Sequence, residues 1–444
     1  MRPGKILLRL SDEPAAWDPA LVRETVDLLC KAAAHPDFAK QGQQAIFSLV
    51  ERLSDAFEPA YVRIYDALFA QIIDYCRRHP SGIELNRALA AFGIHSEQDL
   101  IARKDRLSSP ARFADSQLAG VKKALVLSRV TLGADVAVTS VVVRSLRQVC
   151  PDAEIVTAGP ASMRQIFDGE PQVRLVQVDY RKGTNLMDRL TSWIDLVRLV
   201  DTECRGLNSN EYLIVDPDSR LTQLGLLPVA GDNAPYCFFD SRSYRRPGKK
   251  HISDLTAQWC RETFGSDANT APFVRISSEE RRFGADVASR LRGSGAARVV
   301  ALNFGVGENE KKRLSLDFET QLVRALLRLG NRVILDKGVG AEVDGVNRLL
   351  REVQANEAEL VTWQGSVGGF AGLIASSDLY VGYDSAFQHI ASALGVPVVD
   401  IFVQPEREVF VDRWTPSSRA TEIVIRDTGR ASDVIQSILA IARR

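Results

Sequence analysis

A short polar sequence near the end of the chain has the residue types of an anion-binding site: Asp384-Ser385, followed one turn later by His389. An apolar run at 379–381 precedes it, and aspartate and serine are favoured at the position that begins a helix. A helix start presents unpaired N–H groups and the positive end of the helix dipole, which attract phosphate. The pattern predicts an anion site lined by these three side chains, although an ordinary helix cap explains it equally well.

Two earlier strand-to-helix loops carry glycine pairs together with a charged residue. Gly305 and Gly307 precede Lys312, and the Gly-Val-Gly sequence at 338–340 precedes Glu342. Glycines at such a place let backbone N–H groups approach a phosphate, and a lysine adds positive charge. Because ligands of open parallel sheets bind at the carboxyl edge of the strands, we expect both loops to meet the Asp384-Ser385 turn there.

Asp135 is the carboxylate whose position best suits proton transfer. It follows the first strand of an earlier α/β region and stands at the start of a predicted helix over 136–147. A hydroxyl group that attacks a carbon must lose a proton, and a carboxylate within hydrogen-bonding distance can accept it. The alternative is a plain helix N-cap.

A second polar loop, residues 216–223, follows a later strand of the same region. Asp218, Arg220 and Gln223 suit hydrogen bonds to sugar hydroxyls or to an acceptor phosphate. The alternative is structural, with Asp218 capping the next helix and pairing with Arg220. Further on, the basic run 242–251 suits an anionic acceptor or a membrane surface, but such a run is more often a solvated loop.

The elements that position these residues fall into three predicted parts. Apolar residues at three- and four-residue spacing predict helices throughout residues 1–115. Alternating strands and helices then predict two doubly wound parallel sheets, in domains at 120–267 and 280–444. The fold class is therefore α/β, with two Rossmann-like domains facing a cleft and a mainly helical region before them. We expect the terminal helix, 431–443, to pack back on the first of these domains.

Tyr61, Tyr65 and Phe69 lie on one face of a predicted helix at four-residue spacing. This stripe indicates a packed core rather than a platform for a sugar. The helical region is also where an acceptor, a partner protein or a second copy of the chain would dock, but its sequence does not distinguish among these.

Three sequences within residues 123–425 resemble those of a known family. They are Leu125-Val126-Leu127-Ser128-Arg129 running on to Asp135, Lys312-Arg313-Leu314, and Asp384-Ser385-Ala386-Phe387-Gln388-His389 with the later Gly395-Val396-Pro397. The last is the most specific, because strand, cap, histidine spacing and Gly-x-Pro coincide. The family is glycosyltransferase family 9, the ADP-heptose:lipopolysaccharide heptosyltransferases and their relatives, whose fold is the two-domain GT-B fold.

This resemblance implies an inverting transferase that needs no metal or other cofactor and moves a sugar from a nucleotide-diphosphate sugar to a glycan or glycolipid hydroxyl. Asp135 becomes the general base. Residues and resemblance together assign the donor nucleotide to Gly305, Gly307, Lys312, Glu342, Asp384, Ser385 and His389, and the acceptor or sugar to Arg129, Thr131, Asp218, Arg220 and Gln223. Two alternatives remain open: a sugar-nucleotide epimerase of the same fold, and a catalytically silent nucleotide-binding or scaffold protein.

The chain departs from the family pattern at two places. The family usually has glycine directly before the loop aspartate, where this chain has Ala134 and places Gly133 one residue earlier. It also usually has glycine after the Asp-Ser pair, where this chain has Ala386. Either methyl group narrows the space for a diphosphate.

Composition narrows the class of protein. The 444 residues include 56 basic and 56 acidic side chains, so overall charge gives no attraction to nucleic acid. The first residues lack the apolar core of a signal peptide, and the six cysteines are dispersed without metal-ligand spacing. We expect a cytoplasmic protein, with peripheral association at the inner membrane as an open alternative.

Overall fold

The structure, a computed structural model, describes residues 3, 6, 10, 14 and 17–443, except 110, 181–184, 268, 296, 308, 406, 418–421 and 427–429. The first residues, which are predicted to lack the apolar core of a signal peptide, therefore lie mostly outside the described residues. None of the described helices is both long and apolar enough to cross a membrane.

Helices fill the N-terminal region and then alternate with strands. Numbered along the described chain, the helices are α1 Pro19–Ala34, α2 Ala39–Ser54, α3 Pro59–Arg78, α4 Ile83–Ala91, α5 Glu97–Leu107, α6 Asp115–Leu118, α7 (Leu132–Ala134, Asp135–Thr139 and Ser140–Val149 in succession), α8 Arg164–Phe167, α9 Leu186–Cys204, α10 Ile252–Phe264, α11 Ser278–Arg292, α12 Leu316–Arg328, α13 Ala341–Val353, α14 Val367–Ala375, α15 Ala386–Ala393, α16 Glu408–Trp414 and α17 Ala431–Ala442. The strands are β1 Lys123–Leu127, β2 Glu154–Gly159, β3 Val173–Gln177, β4 Tyr212–Asp216, β5 Tyr236–Phe238, β6 Val299–Asn303, β7 Arg332–Asp336, β8 Leu360–Trp363, β9 Leu379–Tyr383, β10 Val398–Phe402 and β11 Glu422–Arg426.

The strands form two parallel sheets, in the orders β3-β2-β1-β4-β5 and β11-β10-β9-β6-β7-β8. Pairing between β1 and β4 sets Val126 opposite Val215, and pairing between β6 and β9 sets Asn303 opposite Gly382. All the strands of a sheet therefore end at one edge, and the polar loops that follow them meet there. The predicted fold class is confirmed: two Rossmann-like sheets preceded by a helical region.

The helical region shares its core with the first sheet. Alternate residues of a strand face opposite sides of a sheet, and Leu125 and Leu127 of β1 are buried in one cluster with Leu29 of α1, Leu53 of α2 and Ile72 of α3. Tyr61, Tyr65 and Phe69 are all buried, as the predicted core stripe requires. The region is thus a covering layer of the first domain.

The terminal helix was wrongly predicted to pack on the first domain. Ile438 of α17 is fully buried in one cluster with Val300 and Leu302 of β6 and with Phe318 of α12. The apolar stripe of α17 therefore covers the second sheet.

Candidate functional site

The carboxylate of Asp135 is buried and holds three hydrogen-bond donors. Ser128 Oγ donates to Oδ2 at 2.8 Å, while the Arg129 N–H and Thr139 Oγ1 donate to Oδ1 at 2.8 and 2.7 Å. The side chain is 0% exposed. Burial raises the pKa of Asp135 to about 6, against the lowering effect of the hydrogen bonds. The carboxyl group therefore titrates close to neutral pH, where a general base is effective.

Asp135 is not the residue that caps its helix. The helix begins at Leu132 with Thr131 at the N-cap position, and Asp135 opens the π-helical turn that continues it. The predicted helix start at 136 was therefore too late. Thr131 itself is exposed, and its carbonyl accepts the Asp135 N–H at 2.9 Å.

Strained backbone surrounds this carboxylate. Val130 has φ +75°, a value that β-branched residues rarely adopt, and its N–H donates to Ser128 Oγ at 2.7 Å. In the loop after β4, Asp218 has φ +66° and Gln223 has φ +49°. Such conformations cost about 1–3 kcal/mol each and persist where the surroundings hold them, which is common at functional sites.

Arg129 and Asp218 are brought together, with Arg242 as a third member. Arg129 Nη1 donates to Ser241 Oγ at 2.6 Å and lies 3.9 Å from Asp218 Oδ2, which also accepts from Ser241 Oγ at 2.6 Å and from Arg242 Nη1. Burial raises the pKa of Asp218, but the two guanidinium groups outweigh it and lower that pKa, so the carboxylate is charged. Arg242, the first residue of the basic run 242–251, is therefore buried and paired rather than solvated.

The structural alternative, in which Asp218 caps the next helix and pairs with Arg220, is not what the structure shows. Ser219, not Asp218, caps the short turn at 220–222, and its Oγ accepts the Leu221 N–H at 3.1 Å. Arg220 is half-buried, and its side chain forms no hydrogen bond or ion pair with any described residue. Gln223 is buried, and its side chain likewise makes no hydrogen bond within the described part of the chain. These two assignments to the acceptor stay predictions.

Lys312 and Asp384 form an ion pair at the edge of the second sheet. Lys312 Nζ donates to Asp384 Oδ2, and Gln388 Nε2 donates to the other carboxylate oxygen at 3.1 Å. Burial lowers the pKa of Lys312, but the effect of the nearby carboxylates, Asp384 foremost, is larger and raises it above the usual value. The lysine therefore keeps its charge. Ser385 stands at the N-cap position of α15, and its hydroxyl donates to Asn303 Oδ1 at 3.5 Å while its oxygen accepts no N–H of the helix.

His389 lies where the two domains meet, since a Cβ built on Gly133 of the first domain would lie 3.2 Å from its ring. It is 5% exposed, and burial lowers its pKa to about 4, so the ring is neutral. Its centroid lies 5.9 Å from the Trp414 ring of α16. On this geometry His389 braces the start of α15.

Glu342 bridges the two glycine loops. Its Oε1 accepts the N–H groups of Val306 and Gly307 at 3.0 and 3.1 Å, and its Oε2 accepts the N–H of Val339 at 3.1 Å. A Cβ built on Gly305 would lie 3.1 Å from this carboxylate. The side chain therefore occupies backbone donors that were predicted to face a phosphate, and it keeps acceptor capacity for a ribose hydroxyl.

Among the described residues, no three histidine, cysteine, aspartate or glutamate side chains are grouped so as to hold a metal ion.

The family model of glycosyltransferase family 9 (heptosyltransferase) matches residues 229–436, just under half of the chain. The match includes the Lys312–Asp384 pair and all of α15. These residues are similar to glycosyltransferase family 9. None of the curated proteins compared with the chain matches it.

Solved structures show that the fold of the chain is the GT-B fold of glycosyltransferases. A family 9 glycosyltransferase from Veillonella parvula is 17% identical, with a TM-score of 0.56 over 73% of this chain and 91% of that chain. The E. coli heptosyltransferase WaaC with ADP is 14% identical, with a TM-score of 0.52 over 72% and 99%. E. coli ADP-heptose lipopolysaccharide heptosyltransferase II is 17% identical, with a TM-score of 0.50 over 72% and 98%.

Side chains that sequence reasoning missed complete the surroundings of the site. Ser128 and Thr139 hold Asp135, and Trp414 separates His389 from Phe57 of the helical region, whose ring centroid lies 6.2 Å from that of Trp414. Ser128 lies in the Leu125–Arg129 motif, so the sequence did carry a signal for it. Phe57 carried no sequence signal, because its contact depends on how the helical region packs.

Proposed function

We propose that the chain is an inverting, metal-independent glycosyltransferase that moves a sugar from a nucleotide-diphosphate sugar to an acceptor hydroxyl. The observation that carries this proposal is the meeting of two helix starts across the cleft. The start of α15, next to the Lys312–Asp384 pair, packs against the first turn of α7, which leads to Asp135; a Cβ built on Gly133 would lie 3.1 Å from Ala386 Cα. A cation suited to a leaving diphosphate and a carboxylate suited to an acceptor proton thus belong to one cleft.

The chemistry follows from those positions. The acceptor oxygen attacks the anomeric carbon, the bond from that carbon to the diphosphate oxygen breaks, and the acceptor proton passes to Asp135. Attack opposite the leaving group inverts the anomeric centre. Lys312 and the N–H groups at the start of the eight-residue α15 stabilise the negative charge on the diphosphate.

The cleft must open for substrates to enter. Ile390 of α15 is buried in one cluster with Val136 and Ala137 of α7, so the second domain covers Asp135 as the structure stands. Separation of the two domains exposes the carboxylate, and their closure excludes water from the transfer.

We further propose a nucleotide-diphosphate heptose as the donor and a cell-surface glycan or glycolipid as the acceptor. Support comes from the similarity to the heptosyltransferase family and from E. coli enzymes of the same fold, which are WaaC with ADP and ADP-heptose lipopolysaccharide heptosyltransferase II.

Calorimetric titration with ADP-heptose, GDP-mannose, UDP-glucose and dTDP-rhamnose tests the donor, and NMR of the glycoside product tests the inversion. We expect one donor to bind, and a product whose anomeric configuration is opposite to that of the donor. Retention of configuration would contradict the mechanism.

A catalytically silent nucleotide-binding protein is the second candidate. The observation that favours it is the complete burial of Asp135, whose two oxygens already hold three donors. This candidate predicts sugar-nucleotide binding without turnover on any acceptor and without hydrolysis of the donor.

A further inference from the structure

The turn between α2 and α3 lies between the two Rossmann-like domains. On one side, the Ser54 carbonyl accepts from Arg242 Nε at 3.1 Å, next to the Asp218 pair of the first domain. On the other side, Tyr61 accepts from Arg407 Nη2 at 2.7 Å, just before α16 of the second domain. Residues 54–61 therefore form a third wall of the cleft, supplied by the helical region.

Phe57 fixes this wall in place. It is 2% exposed and has φ +51°, a conformation that its surroundings must hold. Its ring packs edge-on against Trp414, and the Arg413 guanidinium lies 5.8 Å from the ring centroid. Trp414 contacts His389 in turn, so the wall reaches the donor-side helix through a single residue.

Asp55, at the tip of this turn, has an unused acceptor oxygen. The side chain is half-buried, and its one hydrogen bond with the described residues comes from Ser54 Oγ to Oδ1 at 3.1 Å. Burial lowers the pKa of Lys312, whereas Asp384 and then Asp55 raise it. Burial likewise lowers the pKa of Arg242, whereas Asp218 and then Asp55 raise it. The Asp55 carboxylate therefore lies within electrostatic reach of a cation on each side of the cleft.

We propose that Asp55 is a specificity-determining residue whose free carboxylate oxygen accepts hydrogen bonds from the hydroxyl groups of the transferred sugar. The inference rests on the proposed function. A sugar whose diphosphate meets Lys312, and whose anomeric carbon is attacked from the side of Arg242 and Asp135, lies between those groups. Ionised carboxylates only accept hydrogen bonds, and sugar hydroxyls donate them. The Asp135 oxygens are already occupied, whereas Asp55 Oδ2 has no hydrogen-bond partner among the described residues.

The test compares a sugar nucleotide with its bare nucleoside diphosphate. Wild type, Asp55→Ala, Asp55→Asn and the control Asp37→Asn are titrated calorimetrically with ADP, GDP, UDP and dTDP and with the four sugar nucleotides named above. Asp37 lies exposed in the α1–α2 turn of the same region, so its substitution removes one charge far from the cleft wall.

We expect Asp55→Ala to weaken binding of the sugar nucleotide at least tenfold relative to the bare diphosphate. Affinity for the bare diphosphate should stay equal or rise, because a negative charge near Lys312 is removed. Asp55→Asn retains one acceptor oxygen and should show a smaller loss of the same sign. Asp37→Asn should match wild type for both ligands.

An unchanged ratio of the two affinities in Asp55→Ala overturns this inference and leaves the proposed function intact. Faster transfer by Asp55→Ala also overturns it, because the turn at 54–61 would then inhibit the reaction rather than bind the sugar. If wild type binds none of the nucleotides, or binds a bare diphosphate but no sugar nucleotide, both this inference and the proposed function fail.

Discussion

Gly133 of the first domain lies directly against Ala386 of the second. A Cβ built on Gly133 would lie 3.1 Å from Ala386 Cα and 3.7 Å from Ala386 Cβ. The two departures from the family pattern thus meet in space: the glycine displaced by one position faces the alanine that replaces the second glycine. The absence of a side chain at 133 makes room for the backbone at Ala386, since the tight contact of an added Cβ is with Ala386 Cα and the methyl group lies at ordinary contact distance.

Gly133→Ala should lower the free energy of unfolding by about 1–3 kcal/mol, the usual range for overpacking a filled contact. The added methyl group meets backbone at Ala386 and the His389 ring, 3.2 Å away, so the neighbours have little room to yield. Urea denaturation measures the change.

Gly231→Ala is the matched control, since a Cβ there meets nothing within 4 Å. Equal stability of the two variants would contradict the packing described for Gly133.

Asp135→Asn should reduce turnover by about 10²–10⁴-fold, because an amide cannot accept the acceptor proton. Folding should change little, since the amide can donate to Ser128 Oγ while its oxygen keeps the Arg129 N–H and the Thr139 hydroxyl. Asp135→Ala leaves those groups unpaired and should cost about 1–3 kcal/mol of stability. Turnover of the Asn variant within threefold of wild type would exclude Asp135 as the base.

The pH dependence of transfer should follow the same carboxyl group. With a pKa of about 6, Asp135 is protonated at lower pH and cannot accept a proton. The value of kcat/KM should therefore fall about tenfold per pH unit below pH 6. A profile that is flat down to pH 5 would point to a different base.

His389 should make folding sensitive to acid. The unfolded side chain takes up a proton near pH 6.5, whereas the folded one does so only near pH 4. The neutral ring therefore contributes to the free energy of unfolding above pH 6.5, and this contribution is lost as the pH falls from 6.5 towards 4. The loss is about 2–3 kcal/mol at pH 4.5. Urea denaturation at pH 7 and 4.5 should show this loss in wild type but not in His389→Gln.

The control for that experiment is His95→Gln, at an exposed histidine, which should lose stability as wild type does. Equal acid sensitivity of wild type and His389→Gln would show that His389 is not the group responsible.

Lys312→Ala should weaken binding of the nucleoside diphosphate by about 1.5–3 kcal/mol, the range for hydrogen bonds to charged groups, or roughly 10- to 150-fold. Lys311→Ala is the control. Lys311 is exposed in the same short turn, so this substitution removes an equal charge one residue away. Calorimetry that finds the two variants alike would remove Lys312 from the donor site.

Local sequence patterns predicted most of the strands and the edge at which the site lies. The apolar run of β9 and the Asp-Ser pair after it placed α15 correctly, because strand burial and helix capping depend on neighbouring residues. Pairings between distant residues escaped this reasoning. Two examples are the pairing of Arg242 with Asp218 and the packing of α17 on the second sheet. Both contacts depend on how complete domains pack, which local patterns do not specify.

Glu342 shows the same limit at the site itself. Its place at the start of α13 was visible in the sequence, but its bonds to Val306 and Gly307 join loops that are 35 or more residues apart. Spacing along the chain cannot specify such contacts, since the relative twist of neighbouring strands decides them.

The position of α17 bears on the order in which the domains fold during synthesis. Arg298, immediately before β6, donates to the carbonyl oxygens of Ile441 and Ala442 at 3.3 and 3.4 Å. The first strand of the second sheet is therefore held by the last turn of α17. Domains generally fold as units from the N-terminus during translation, and the second domain completes its core only when residues up to 442 have emerged from the ribosome. Until then the apolar face of β6 that α17 later covers is exposed, so it can aggregate with other chains or bind a chaperone.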